Sequence, residues 1–314
     1  MITRISLWSF GLLVFVSAGF GQDTATKEPA PPFPADLVSF QPIRNKPVFS
    51  GRGPGNWDVK IRERGWILKE AGKYRMWYTG YDGTREGIKR LGYAESPDGI
   101  SWKRRPKPLI SDLWIEDMTV LKHKDRYLMF AEGKGDQAQI LTSPDGLKWK
   151  REGTVDVRLA NGKPIPPGPY GTPTIWFEDG VFNLFYERRD QGVWLAKSHD
   201  LKVWTNVSDE PVLRIGPGDY DKLMIAMNQV VKRGNWYYAY YHGTGSPTKP
   251  RKWCTCIAAS RDLVHWTKFE KNPLLPLNEN KSSGILVGSG QQVRLFTMHD
   301  KVDVHELRIK KDAR

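Results

Sequence analysis

Ser96-Pro97-Asp98-Gly99-Ile100-Ser101-Trp102 decides the fold, because the same phrase returns three more times along the chain. Ser143-Pro144-Asp145-Gly146-Leu147-Lys148-Trp149, Ser198-His199-Asp200-Leu201-Lys202-Val203-Trp204 and Ser260-Arg261-Asp262-Leu263-Val264-His265-Trp266 keep the spacing Ser-x-Asp-x-x-x-Trp unchanged. The tryptophans Trp102, Trp149, Trp204 and Trp266 follow one another at widening but comparable intervals. A phrase held this strictly marks one structural unit used repeatedly. Ser and Asp side chains bond to the backbone of a turn, and the Trp that follows suits packing between sheets.

Working outward, an aromatic strand precedes each phrase: Tyr74–Tyr78, Tyr127–Ala131, Phe182–Tyr186 and Trp236–Tyr240. A fifth, Val293–Thr297, has no such phrase after it. The starts of these strands are more evenly spaced than the tryptophans. A further strand pattern follows each of the first four: Arg90–Ala94, Ala138–Thr142, Gly192–Ala196 and Cys256–Ala259. A period of about 50 residues with several short strands in each is the signature of a propeller. The fold class expected is therefore all-β, a five-bladed β-propeller of four-stranded antiparallel blades. Each blade reads as inner strand, aromatic second strand, third strand, Ser-x-Asp turn and outer strand. The last unit is incomplete, and Leu37–Phe40 is the candidate to complete it beside Val304–Ile309.

The 314 residues divide into a leader, residues 1–21, and one propeller domain, residues 22–314. Arg4 gives a positive start, Leu7 to Phe20 is largely apolar, and Ser17-Ala18-Gly19-Phe20-Gly21 offers small residues for cleavage before Gln22. The run is short for a membrane span and no Cys adjoins it, so a secreted or periplasmic protein without a membrane anchor is expected. Cys254 and Cys256 are two apart on one strand, a spacing that suits packing better than a disulfide or a metal.

Thirteen Trp, twelve Tyr and twelve Phe serve pleated cores and sugar-stacking floors alike. The formal net charge is +13, about +12 once Arg4 leaves with the leader, which favours anionic partners such as acidic polysaccharide. The basic residues are scattered and no nucleic-acid-binding motif accompanies them, so nucleic acid is not an expected partner.

In a propeller the inner strand begins at one face, and the second strand returns to it. Functional side chains therefore belong just before each inner strand and just after each aromatic strand. The first set supplies Asp58, Arg62, Glu63, Glu116, Asp117, Asp221 and Asn228; the second supplies Glu132, Glu187, Arg188, His242 and His299. Carboxylates, arginines and aromatic faces at one mouth suit a sugar, and paired carboxylates suit acid–base cleavage of a glycosidic bond. No metal is assigned, since no His-x-x-x-His or Cys/His set exists; a hard cation on the axis is the one cofactor left open.

Tyr74–Gly80 and Leu91–Trp102 resemble blade phrases of the five-bladed propeller glycoside hydrolases, a superfamily of arabinanases, β-xylosidases, invertases, levanases and neoagarobiose hydrolases. The resemblance extends over nearly the whole mature chain. It implies an acid at the first blade, answered by Asp58 or Glu63, and one at the second, answered by Asp117 beside Glu116. Invertase-like members carry a third-blade Glu, where this chain reads Tyr170-Gly-Thr-Pro-Thr174; arabinanase-like members carry a fourth-blade Glu, where it reads Met224–Gln229. Glu187, His242 or His299 stand in as proton donor, as a His does in the neoagarobiose type.

A secreted glycoside hydrolase of polysaccharide-derived oligosaccharides is thus expected, with Asp58 or Glu63 as base, Asp117 orienting the sugar or tuning a neighbour and Glu187 as acid. Arg62, Glu116, Glu132, Arg188, Asp221, Asn228, His242 and His299 are the expected substrate-binding residues. The alternative is a non-catalytic carbohydrate-binding propeller, which the missing third- and fourth-blade acids favour. A sialidase-like enzyme ranks last, because those turns carry one more residue before the aromatic and no arginine triad is evident.

Overall fold

A computed structural model describes residues 31–165 and 170–308. The expected leader, residues 1–21, lies outside the described residues. Five small antiparallel sheets form a five-bladed β-propeller. Blade 1 comprises Lys60–Glu70, Lys73–Tyr81, Arg90–Ser96 and Lys103–Arg104; blade 2 comprises Glu116–His123, Arg126–Gly133, Gln137–Ser143 and Lys150–Thr154. Blade 3 comprises Gly171–Glu178, Val181–Glu187, Gly192–Ser198 and Val203–Asn206, with Asp156–Arg158 added parallel at its outer edge and Leu213–Arg214 beside its third strand. Blade 4 comprises Met224–Arg233, Trp236–Thr244, Cys254–Ser260 and Thr267–Lys268.

Blade 5 closes the ring with chain from both ends of the domain. Gly284–Val287, Arg294–Met298 and Lys301–Leu307 are joined by Phe40–Pro42, antiparallel to the last strand with Phe40 opposite Leu307. Phe49–Ser50 pairs with the same strand further along. The expected closing strand Leu37–Phe40 is thereby corrected: Ala35–Val38 is one helical turn, and pairing starts only at Phe40. That turn still serves the closure, since buried Leu37 and Phe40 pack beside Tyr238 and Tyr240 of blade 4.

The repeated phrase acts through its turn. Ser96 Oγ accepts the Gly99 N–H at 2.8 Å, while Asp98 Oδ1 accepts those of Ile100 and Ser101 at 2.8 and 2.7 Å. These backbone N–H groups hold the Asp98 carboxyl down to about 2. The residue after Asp lies in the left-handed region in all four copies, as Gly99, Gly146, Leu201 and Leu263. Glycine adopts that conformation freely; leucine does not, and two copies accept the strain.

The Trp of each phrase then packs on the preceding blade. Trp149 meets Trp77, Trp204 meets Phe130, Trp266 meets Phe185 and Trp102 meets Phe296, edge-on with ring centroids 5.6 to 6.4 Å apart. In each case the partner is the fourth residue of the aromatic strand read from the sequence. Blade 5 has no phrase, and blade 4 carries Ala239 at that fourth position. The N-terminal residues Phe33, Leu37 and Phe40 fill the blade 4–blade 5 interface instead.

Second and third strands are therefore covered on both faces, and Cys254–Ser260 is buried along its whole length. Within it Cys254 and Cys256 are free thiols with sulfurs 3.6 Å apart, small enough to let neighbouring blades approach.

Candidate active site

A pocket of about 220 Å³ opens at the centre of one face. Its walls include Arg62, Glu63, Asp117, Glu132, Asp136, Thr172, Glu187, Arg189, Asp190, His242, Trp253, Ser282, Ser283 and His299. Arg64 does not line it, but its buried guanidinium reaches from blade 1 to three other blades. Arg64 Nη2 donates to the carbonyls of Asp117 and Pro173, each at 2.7 Å, and Nη1 donates to Asn228 O at 2.7 Å and to Thr174 Oγ1. One side chain from blade 1 thus ties blades 2, 3 and 4. Among the described residues no group of three or more His, Cys, Asp or Glu side chains is arranged to hold a metal ion.

The inner strands enter the pocket through bulges. Pairing slips between Arg62 and Trp66, Glu116 and Thr119, Gly171 and Thr174, and Met227 and Gln229. Glu63, Asp117 and Thr172 sit in the first three slips with φ of 55°, 46° and 45°, and Ser283, just before the inner strand of blade 5, has φ of 55°. All four line the pocket. A left-handed non-glycine residue costs about 1–3 kcal/mol, and such strain gathers where a side chain must be aimed at a ligand.

Glu187 supplies the acid that the inner strand of blade 3 lacks. It pairs across the blade with Gly171, and a β-carbon at residue 171 would overlap Glu187 Oε1 and lie 2.8 Å from Glu132 Oε2. Glycine at 171 is what lets two carboxyl groups flank the strand. Glu132 Oε2 accepts the Thr172 N–H at 2.9 Å, and Glu187 Oε2 accepts that of Asp190.

These acids do not share one protonation state. Burial, reinforced by Asp190, pushes Glu187 up to about 8 despite the Asp190 N–H; burial, with Glu63 and Asp136, pushes Asp190 up to about 7. Asp117 and Glu132 are raised well above the ordinary carboxylate range, again chiefly by burial and then by neighbouring acids. For Glu63, burial acts upward but is outweighed by His299 and Arg62, and its pKa falls below the ordinary value. His299 Nδ1 lies 3.6 Å from Glu63 Oε2, and Arg62 Nη2 donates to Glu63 Oε1. The pocket thus holds acids raised toward the protonated form, Glu187 and Asp190 among them, beside the ionised carboxylate of Glu63.

Two expected binding residues act from behind. Glu116 does not line the pocket; its Oε2 lies 3.0 Å from Arg62 Nε and its Oε1 accepts the Trp114 indole N–H at 2.8 Å. Asn228 Nδ2 lies 2.9 Å from His242 Nδ1. Burial drives His242 down to about 3, so it remains neutral, its Nδ1 accepting from Asn228 and its Nε2 carrying the proton. Such a ring donates a hydrogen bond but is no proton donor at neutral pH.

Three expectations need correction. Asp58 is fully enclosed away from the pocket, where Oδ1 accepts from Arg52 Nε at 2.5 Å and Oδ2 from Arg104 Nη1 at 2.7 Å and the Tyr78 hydroxyl at 3.0 Å. Asp221 repeats that arrangement in blade 4, with Oδ2 accepting from Tyr241 at 3.0 Å and Lys268 at 2.6 Å. Both precede their tyrosine by 20 residues and clamp the blade rather than face a sugar. Arg188 packs over the Tyr170 ring, and it is Arg189 that lines the pocket. Arg189 and Asp190 both have positive φ, which turns the chain there and exchanges the residue that faces inward.

Asp136 and Trp253 fall outside the expected set because third strands also begin at this face, whereas the expectation drew only on inner strands and the ends of second strands. Thr172 and Ser283 hold the same repeat position as Asp117 but are not acids.

No family model matches this chain. A 1,2-β-oligomannan phosphorylase from Thermoanaerobacter sp. (strain X514) is 24% identical over 224 residues, 65% of this chain and 72% of that protein. Among solved structures, a glycosyl hydrolase from Bacteroides ovatus superposes with a TM-score of 0.72 at 16% identity, covering 90% of this chain and 98% of that one. Another superposes with a TM-score of 0.69 at 18% identity over 88% and 95% of the two chains; it is described with the GH130 family of mannoside phosphorylases, which contains glycoside hydrolases targeting β-1,2-mannosidic linkages in Candida mannan. These structural likenesses bear on the fold.

Proposed function

We propose that the protein is a carbohydrate-active enzyme that hydrolyses glycosidic bonds in oligosaccharides, with β-mannosides as its substrate class. The observation that carries this reading is the split protonation of one pocket: Glu187 holds its proton near neutral pH while Glu63 stays ionised. An oxocarbenium-like transition state needs that pair, an acid to protonate the leaving oxygen and a carboxylate to activate the incoming nucleophile. Glu187 is the acid and Glu63 the base. Asp117 and Glu132 are hydrogen-bonding groups for sugar hydroxyls, and His242 donates from Nε2.

The sugar class comes from the relatives, which carry mannoside names. Water is the proposed nucleophile, and inorganic phosphate is the competing one, since Arg62, Arg189 and His299 line the pocket beside its carboxyl groups. The leader read from residues 1–21 supports a secreted or periplasmic setting for this activity.

The test is incubation of purified protein with β-1,2-mannobiose and longer manno-oligosaccharides, with and without inorganic phosphate. Free mannose in phosphate-free buffer is the expected product. Mannose 1-phosphate formed only with phosphate present would make the protein a phosphorylase. Binding without cleavage would make it the carbohydrate-binding propeller.

A further inference from the structure

A second cavity of about 410 Å³ lies between the loops of blades 1 and 2, lined by Ile88, Leu113, Trp114, Lys134, Gln137 and Gln139 among others. It is separate from the pocket described above, but one turn divides them. In Gly133–Asp136, Asp136 lines the central pocket while Gly133 and Lys134 line this one.

The cavity is prebuilt. Lys89 is fully buried, and its ammonium donates to the carbonyls of Arg85 at 2.9 Å and Gly87 at 2.6 Å while lying 4.6 and 4.4 Å from the Tyr81 and Trp114 ring centroids. Burying a lysine fixes the 84–88 loop as one wall. On the opposite wall buried Gln139 donates to Trp114 O at 2.7 Å and accepts from Arg151 Nε at 2.8 Å. Ile88 is 40% exposed and is the described large apolar exposed residue that faces this cavity. An aromatic and an aliphatic side chain within a rim of amides and both charge signs is the surface that a pyranose covers, apolar face down and hydroxyls outward.

We propose that this cavity is a distal sugar-binding subsite, holding residues of the oligosaccharide beyond those seated in the central pocket. The inference rests on the proposed function. The central pocket, at about 220 Å³, is smaller than the roughly 300–1,000 Å³ that envelops a drug-sized ligand. A longer chain must continue outside it, and Trp114 adjoins it through the Glu116 carboxyl that also holds Arg62.

The experiment compares β-1,2-mannobiose with the β-1,2-linked mannopentaose on wild type, Ile88→Asp and Lys134→Ala. Cleavage of the disaccharide by wild type tests the function alone; without it, that reading and the subsite both fall. Given cleavage, Ile88→Asp is expected to raise KM for the pentasaccharide about tenfold, the loss of one well-buried contact, with kcat and the disaccharide unaffected. Lys134→Ala should do the same more weakly. Unchanged pentasaccharide KM in both variants overturns the subsite while leaving the function standing. Equal losses on both substrates also overturn it, since the effect would then arise in the central pocket.

Discussion

Gly171 lies so close to the Glu187 carboxyl that a β-carbon on it would overlap Oε1. Gly171→Ala must therefore push Glu187 off its position while neither adding nor removing an ionisable group. Displacement on the ångström scale costs about 10²-fold in turnover. The basic limb of the pH–rate profile should move below that of wild type as Glu187 gains solvent. Circular dichroism checks the fold; unchanged turnover would show that Glu187 is not positioned by this contact.

The pH profile of wild type is expected to be a broad bell. Its basic limb falls near pH 8, where Glu187 loses the proton it must donate. Its acid limb lies below the ordinary Glu range, because His299 and Arg62 keep Glu63 ionised. Glu187→Gln should lower kcat by about 10²–10⁴-fold on oligosaccharides. The loss should shrink on aryl glycosides whose leaving group needs no proton. Initial rates measured across the acid, neutral and basic ranges decide it.

Stability should fall as pH rises through the same range. Glu187, Asp190, Asp117 and Glu132 all have folded pKa values above their unfolded ones, so the native state binds more protons than the unfolded state. Unfolding free energy then decreases between about pH 4 and pH 8. Below about pH 4 the loss reverses sign at Asp98, whose lowered pKa makes it stabilising only while ionised. The melting temperature should peak at the acid end of that window, at about pH 4, and Glu187→Gln should flatten the decline above it.

Asp58→Asn is expected to be a stability variant. It removes the charge of a buried carboxylate paired with the partly exposed Arg52 and Arg104, a change that costs up to about 3–5 kcal/mol. Asp117→Asn should do the opposite, lowering turnover while the melting temperature stays close to wild type, because burial raises the Asp117 pKa well above the ordinary value and the amide keeps the carboxyl's shape and its bond from the Arg64 N–H. Urea melts beside steady-state kinetics separate the two.

Trp204→Ala should cost about 3–5 kcal/mol by emptying the space against Phe130. Ala239→Phe, where the next blade has no Trp, should be destabilising through overpacking. Mature protein from an exporting host should begin within a few residues of Gln22, as N-terminal sequencing would show.

The number of blades, their strand order and the aromatic seams between them were legible in the chain itself. Each depends on local spacing: Asp98 caps a short turn through its own neighbours, and the fourth residue of an aromatic strand faces the next blade because strands alternate with period two. The face of the ring where the acidic pocket opens followed from strand direction. Which carboxyl group enters the pocket did not. Asp58 and Glu63 are near neighbours in the chain and equally acidic on paper, but a left-handed bulge aims Glu63 inward while Asp58 meets two arginines and a tyrosine. Protonation was no more legible. Glu187 is raised by burial beside Gly171 of the adjoining strand, and Glu63 of the first blade is lowered by His299 of the last. Charge and desolvation act through space, so a carboxyl group's role is set by neighbours that only closure of the ring brings together.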